Sequence, residues 1–137
     1  MTVLNPYLNF RGQAREAMEF YASVLGGTPT FSTFGEFGMN QDPAEADQVM
    51  HSMLQTPGGM TLMAADVPAQ MEYQPGTNVH ISLSGDDVDE LRGYFDGLAA
   101  GGTVVEPFVA APWGDTFGML IDSFGIRWLV NAAGQPA

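Results

Sequence analysis

Two histidines stand in this chain, His51 and His80, and imidazole is the side chain best suited to moving protons near neutral pH or to holding a metal. His80 lies in the run NVHISLSGDD, where polar and apolar residues alternate. That period of two predicts a strand on which His80, Ser82 and Ser84 share one face and Ile81 and Leu83 the other. His80 therefore points away from the apolar core, as a general base, a pocket hydrogen-bonding group or a metal ligand would. A hydrogen-bonded histidine with no catalytic duty is the plainer reading. His51 sits in VMHSMLQT, with apolar residues on both sides, so its face is ambiguous from sequence.

Other residues carry weaker chemical signals. PWGDTFGM sets an indole, a carboxylate and a phenyl ring near two glycines, so a flat ligand could stack on Trp113 or Phe117. Equally, Trp113 could plug a sheet while Gly114 and Gly118 permit close packing. Near the start, VLNPYLNF alternates so that Leu4, Pro6, Leu8 and Phe10 share a face and Asn5, Tyr7 and Asn9 the opposite one. The acidic residues of NQDPAEADQ read as a solvated loop, and Asp86, Asp87, Asp89 and Glu90 as helix capping rather than an acid-base pair.

The elements that position these residues come in two similar sets. A strand over residues 3–10 precedes a helix in QAREAMEFYASVL, whose Ala14, Ala17, Met18, Tyr21, Val24 and Leu25 recur at helical spacing. Gly26 and Gly27 end it, and extended runs follow in TPTFSTFGEF, VMHSMLQT and MTLMAAD. From Asn78 the order begins again. A strand is followed by a helix opened by Asp86 or Asp87, with Val88, Leu91, Phe95, Leu98 and Ala99 as its stripe, then TVVEPFVAAP, DTFGMLID and GIRWLVNAA. A shift of 75 residues lays Gly26-Gly27-Thr28 on Gly101-Gly102-Thr103, Phe20 on Phe95, and Asn5 on His80. The expectation is a single α+β domain over 1–137: module one 1–67, a linker 68–77 rich in Pro, Gln and Gly, and module two 78–135. Each β-α-β-β-β module buries its helical stripe on the outside of a curved mixed sheet, and the inner faces are expected to form a cup. Asn5, Tyr7, Asn9, His51, His80, Trp113 and Phe117 are the candidate ligand-binding residues.

Composition sets bounds. The 137 residues suffice for a core without staples, and the absence of cysteine excludes disulfides, zinc-thiolate sites and thiol catalysis. A formal charge of −12 opposes binding to nucleic acid and to anionic lipid surfaces. MTVLNPYLNF lacks the pattern of a signal peptide, and no run approaches the roughly 20 apolar residues that span a bilayer, so a cytoplasmic location is expected. No glycine-rich loop with an acidic partner about 20 positions on follows a strand, so no nucleotide-like cofactor is expected.

NPYLNFRGQAREAMEFYASVLGG, VMHSMLQTPGGMTLMAAD and PWGDTFGMLIDSFGIRWLVN together resemble the vicinal oxygen chelate superfamily, and within it the PhnB-like branch. That superfamily includes glyoxalase I, extradiol dioxygenases and the bleomycin- and fosfomycin-resistance proteins. The resemblance implies paired β-α-β-β-β modules, a homodimer and, in catalytic members, a divalent metal held by side chains on the first and last strands of each module. Here those positions match His80, Asn5 or the neighbouring Pro6, Leu129, and Leu62 or Met63. A divalent site needs about three protein ligands. With one ligand of four in place, neither a metal nor a cofactor is expected, unless Asp66 or Glu106 served in an unfamiliar geometry. The expected function is binding of a small molecule without the superfamily metal. The alternative is a metal-dependent glyoxalase-type lyase or isomerase, or a dioxygenase.

Overall fold

The computed structural model describes residues 1–134. Its elements run β1 (Tyr7–Phe10), α1 (Ala14–Leu25), β2 (Thr30–Thr33), two short 3-10 turns (Gly35–Phe37 and Pro43–Glu45), β3 (Val49–Gln55) and β4 (Thr61–Asp66). The second series is β5 (Ile81–Gly85), α2 (Val88–Ala99), β6 (Thr103–Ala110), β7 (Thr116–Ile121) and β8 (Arg127–Ala132). The chain divides into two compact units at Pro75 and Gly76. The expected end of module two at residue 135 lies outside the described residues.

Each unit is a β-α-β-β-β module with a mixed four-stranded sheet, ordered β1-β4-β3-β2 in the first and β5-β8-β7-β6 in the second. β1 runs parallel to β4 and β5 to β8, while the remaining pairs are antiparallel. The first strand thus reaches its partner through the helix and two further strands, the kind of long crossover that parallel pairing requires.

The helices form where the apolar spacing places them. Ala14, Ala17, Met18, Tyr21 and Leu25 are buried along one stripe of α1, and Leu91, Phe95 and Leu98 along one stripe of α2. Burying a side chain of the larger kinds contributes about 1.5–3 kcal/mol relative to leaving it in water. In the first module these stripes meet the sheet face that carries Phe10, Leu54, Leu62 and Ala64. In the second they meet the face of Leu83, Leu120, Trp128, Val130 and Ala132.

The two helices start differently. Asp87 caps α2, its carboxylate accepting from the Glu90 N–H. α1 has no side-chain cap of its own; instead the buried Asp66, at the end of β4, accepts from the N–H groups of Gly12 (2.8 Å) and Ala14 (3.0 Å) with one oxygen and from Val49 (2.9 Å) with the other. Asp122 does similar work in the second module, accepting from the Phe124 and Ile126 N–H groups and from the Trp128 indole at 2.8 Å. Trp128 is fully buried on the helix side of its sheet.

Gly118 does permit close packing, and its surroundings explain the missing side chain. A Cβ there would meet the Phe95 ring at 2.7 Å and the Phe108 backbone at 2.9 Å. Observed strands are shorter than the alternation predicts: β1 begins at Tyr7 rather than residue 3, and β2 stops at Thr33, where Phe34 enters the first 3-10 turn. The linker is partly pinned to the first module. Arg11 donates to the Met71 carbonyl at 2.6 Å and lies 5.2 Å from the centre of the Tyr73 ring, and the buried Glu45 accepts from the Ala69 N–H at 2.8 Å. At the far edge of the second sheet, β6 exposes Val104, Val105 and Val109, contains Pro107, and shifts register twice against β7.

Candidate functional site

In the first module the face of the sheet away from α1 gathers the polar residues expected of a site. Burial alternates from His51 to Leu54 and from Thr61 to Ala64, so Ser52, Leu54, Leu62 and Ala64 turn to the helix while His51, Met53 and Met63 turn to the other side, which Ala65, though buried, shares by strand parity. Register then orders them into rows. Tyr7 lies beside Met63, Met63 beside Met53 and Met53 beside Thr30, while Asn9 lies beside Ala65 and His51 beside Ser32. His51, ambiguous from sequence, is therefore a neighbour of Tyr7. The phenol oxygen stands 3.3 Å from His51 Nδ1, and the two rings stack with centres 5.8 Å apart.

Partial burial pushes the Tyr7 hydroxyl above its ordinary value. A phenol that donates to Nδ1 leaves the ring hydrogen on Nε2, and a ring with its hydrogen on Nδ1 donates to the phenol oxygen instead. Asn9 is exposed on this same face, and Asn5 lies two residues before β1, half-buried.

In the second module His80 stands one residue before β5, half-buried, and not within the strand as the alternation implied. Ser82 and Ser84 follow it on the face away from α2, beside Leu129 and Asn131 of β8, which in turn lie beside Met119 and Phe117 of β7. Trp113, 64% exposed, meets Phe117 edge to face with ring centres 5.8 Å apart. Between them in sequence, Asp115 accepts from the Gly134 N–H at 2.8 Å and from the Asn131 amide at 3.1 Å. Those two bonds, the backbone one first, hold its carboxyl below the ordinary carboxylate value. This corner therefore offers an exposed indole, a phenyl ring and a fixed negative charge. Asn131 escaped the sequence reading, while the methionines of the middle strands, whose default reading was core, include Met53 and Met63 on the face away from the helix. Alternation along GIRWLVNAA, with Trp128 inward, was the available signal for Asn131.

The candidate residues thus fall into local groups. Tyr7, Asn9 and His51 share one sheet face of the first module, with Asn5 just upstream, and Trp113 and Phe117 touch in the second module next to Asp115 and Asn131. A family model for the Glyoxalase/Bleomycin resistance protein/Dioxygenase superfamily matches residues 3–130. The chain belongs to that superfamily. Among solved structures it is similar to protein PA1353 from Pseudomonas aeruginosa, with 35% identity, 98% of this chain and 100% of that one covered, and a TM-score of 0.82. It also shares its fold with a Bacillus cereus protein described as a putative 3-demethylubiquinone-9 3-methyltransferase, PhnB protein, at 24% identity, 96% and 100% coverage, and a TM-score of 0.77. Protein YjdN of Escherichia coli is 28% identical over 143 residues, covering 96% of each chain.

Membership in the glyoxalase/bleomycin resistance superfamily raises the question of its divalent ion, and the donors here do not fit one. Tyr7 and Ser82 are equivalent under the 75-residue shift; Tyr7 faces Met63 and Ser82 faces Leu129, so Met63 and Leu129 occupy the same place in the two modules. That register also decides between Leu62 and Met63, since Leu62 turns to the helix. A thioether and an alkyl chain give a hard divalent ion nothing to bind. Asp66 cannot substitute, because its oxygens are taken by three backbone N–H groups on the helix side. Among the described residues no three His, Cys, Asp or Glu side chains are placed to hold an ion. Likewise, no helix among them is long and apolar enough to cross a membrane.

Proposed function

We propose that this chain is a PhnB-like binding protein of the superfamily that takes a small organic molecule and uses no divalent ion. The observation that carries the reading is the presence of Met63 in one module and Leu129 in the other at equivalent register positions, where resemblance to the catalytic members calls for donors. What remains on and just before the strand faces away from the helices suits an organic ligand: hydrogen-bonding groups at Asn5, Tyr7, Asn9, His51, His80, Ser82 and Ser84, and an aromatic corner at Trp113 and Phe117. A ligand with a flat ring and a positive or hydrogen-donating group matches the indole, the phenyl ring and the ionised Asp115. The formal charge of −12 also draws cations rather than anions at long range.

Under this reading modules 1–67 and 78–135, joined by linker 68–77, act as one domain, and the working form is a cytoplasmic homodimer. The methyltransferase description of the Bacillus cereus protein is not carried over, because this sequence has no glycine-rich cofactor loop of the nucleotide-binding kind.

The test is metal analysis of protein purified without an affinity tag, followed by thermal unfolding with Zn, Ni, Mn or Fe(II) and with a panel of aromatic amines. A ligand that binds only the folded state raises its stability by mass action. The expected result is no stoichiometric divalent metal, no shift with the four ions, and a shift with at least one aromatic cation that Trp113→Ala abolishes. One divalent ion per chain, or a rise in Tm at micromolar ion, would remove the reading and restore the metal-dependent enzyme. Light scattering on the same sample reads the oligomeric state, with a dimer expected.

A further inference from the structure

The first module carries a donor set of a different kind. Met53 of β3 and Met63 of β4 lie directly opposite each other, and both turn away from α1. Directly opposite residues in an antiparallel pair have Cβ atoms about 4.5–5.5 Å apart, close enough for two thioethers to converge on one point. His51 precedes Met53 by two residues and so projects from the same face, one row away. All three side chains are half-buried rather than sealed in the core. Two thioethers and one imidazole form a soft set with no oxygen donor and no net charge, which is poor for Zn or Mg and suited to a monovalent d10 ion.

We infer that Met53, Met63 and His51 form a site for a soft monovalent cation, Cu(I) or Ag(I), on the sheet face of the first module. Tyr7 is the positioning residue. With the ion on His51 Nε2, the ring hydrogen sits on Nδ1 and is donated to the phenol oxygen 3.3 Å away, which fixes the ring plane. The stacking of the two rings restrains it further. No electron transfer is involved, and the ring hydrogen moves only between the two nitrogens. The strongly negative net charge raises the local concentration of any cation. This site is distinct from the superfamily's divalent centre in its donors, and it does not rest on the organic-ligand reading. Divalent binding would sink that reading and leave this one standing.

The experiment is a titration of the full chain with Cu(I), kept reduced by ascorbate and competed by bicinchoninate, with Ag(I) calorimetry as a redox-inert parallel. One ion per chain is expected. Met53→Leu and Met63→Leu conserve volume and should each weaken binding at least tenfold, and His51→Asn likewise, while Met39→Leu, in an exposed loop, leaves affinity unchanged. X-ray absorption of the Ag(I) form should show sulfur and nitrogen neighbours together. Circular dichroism and Tm of each variant report whether it is folded. If the wild-type chain fails to compete with bicinchoninate and gives no Ag(I) heat, the inference is overturned. It is equally overturned if folded Met53→Leu and Met63→Leu bind as the wild type does.

Discussion

The Tyr7–His51 pair shows how a single register decides chemistry. With the phenol oxygen 3.3 Å from His51 Nδ1, a phenol that donates there holds the ring hydrogen on Nε2. Long-range proton-nitrogen NMR at pH 8 is expected to show this tautomer in the wild type and a mixture in Tyr7→Phe, with the stability change at or below about 1 kcal/mol because the bond is exposed. A wild-type spectrum already mixed would remove the hydrogen bond from the account. Asp115 makes a second prediction at this scale. Its folded pKa lies below the ordinary 3.8, so its contribution to stability is present above that value and lost as pH falls through the lowered one. Asp115→Asn should therefore be less stable than the wild type at neutral pH and converge with it in acid, read by denaturant midpoints across a pH series. At this scale the sequence was informative about type and face. Tyr7, Asn9 and Ser82 turned out on the side that alternation assigned, whereas the partner of His51 was not visible, because it depends on which residue of a strand 44 positions away lies in reach.

At the scale of elements, two buried carboxylates anchor the modules. Asp66→Ala would strand three N–H groups in a buried place, and the expected loss is about 3–5 kcal/mol, measurable as a lower urea midpoint. An unchanged midpoint would show that water replaces the carboxylate freely. Gly118→Ala forces a methyl group against the Phe95 ring and the Phe108 backbone, with an expected cost of about 1–3 kcal/mol from overpacking. Helices, glycine brackets and strand order were legible because each rests on a local period or a local conformational need. The short 3-10 turns at Gly35–Phe37 and Pro43–Glu45 and the replacement of a local α1 cap by Asp66 were not. Both depend on contacts between segments far apart in sequence, which composition and spacing do not encode.

For the whole chain, the duplication visible as a 75-residue shift extends to the hydrogen-bond register, since Phe10 pairs with Asp66 and Gly85 with Ala132 at corresponding places. What the repeat does not preserve is the chemistry: an aspartate in one copy is an alanine in the other, and Asn5 corresponds to His80. The linker is held as far as Tyr73 by Arg11, while residues 74–79 are exposed. Limited proteolysis with a broad-specificity protease should cut first between 74 and 79, as mass spectrometry of the fragments would show, and a first cut within 68–73 would contradict the clamp.

The lone proline of β6 has a consequence for behaviour in crowded solution. A border strand with three bare valines is the sort of rim on which further chains can stack into fibres. Pro107 lacks an amide hydrogen, and the two slips beside it bend the ladder out of line, so an approaching neighbour finds no continuous row to zip onto. Replacing that imino acid by valine would heal the row and turn a quiet margin into a nucleus for aggregation.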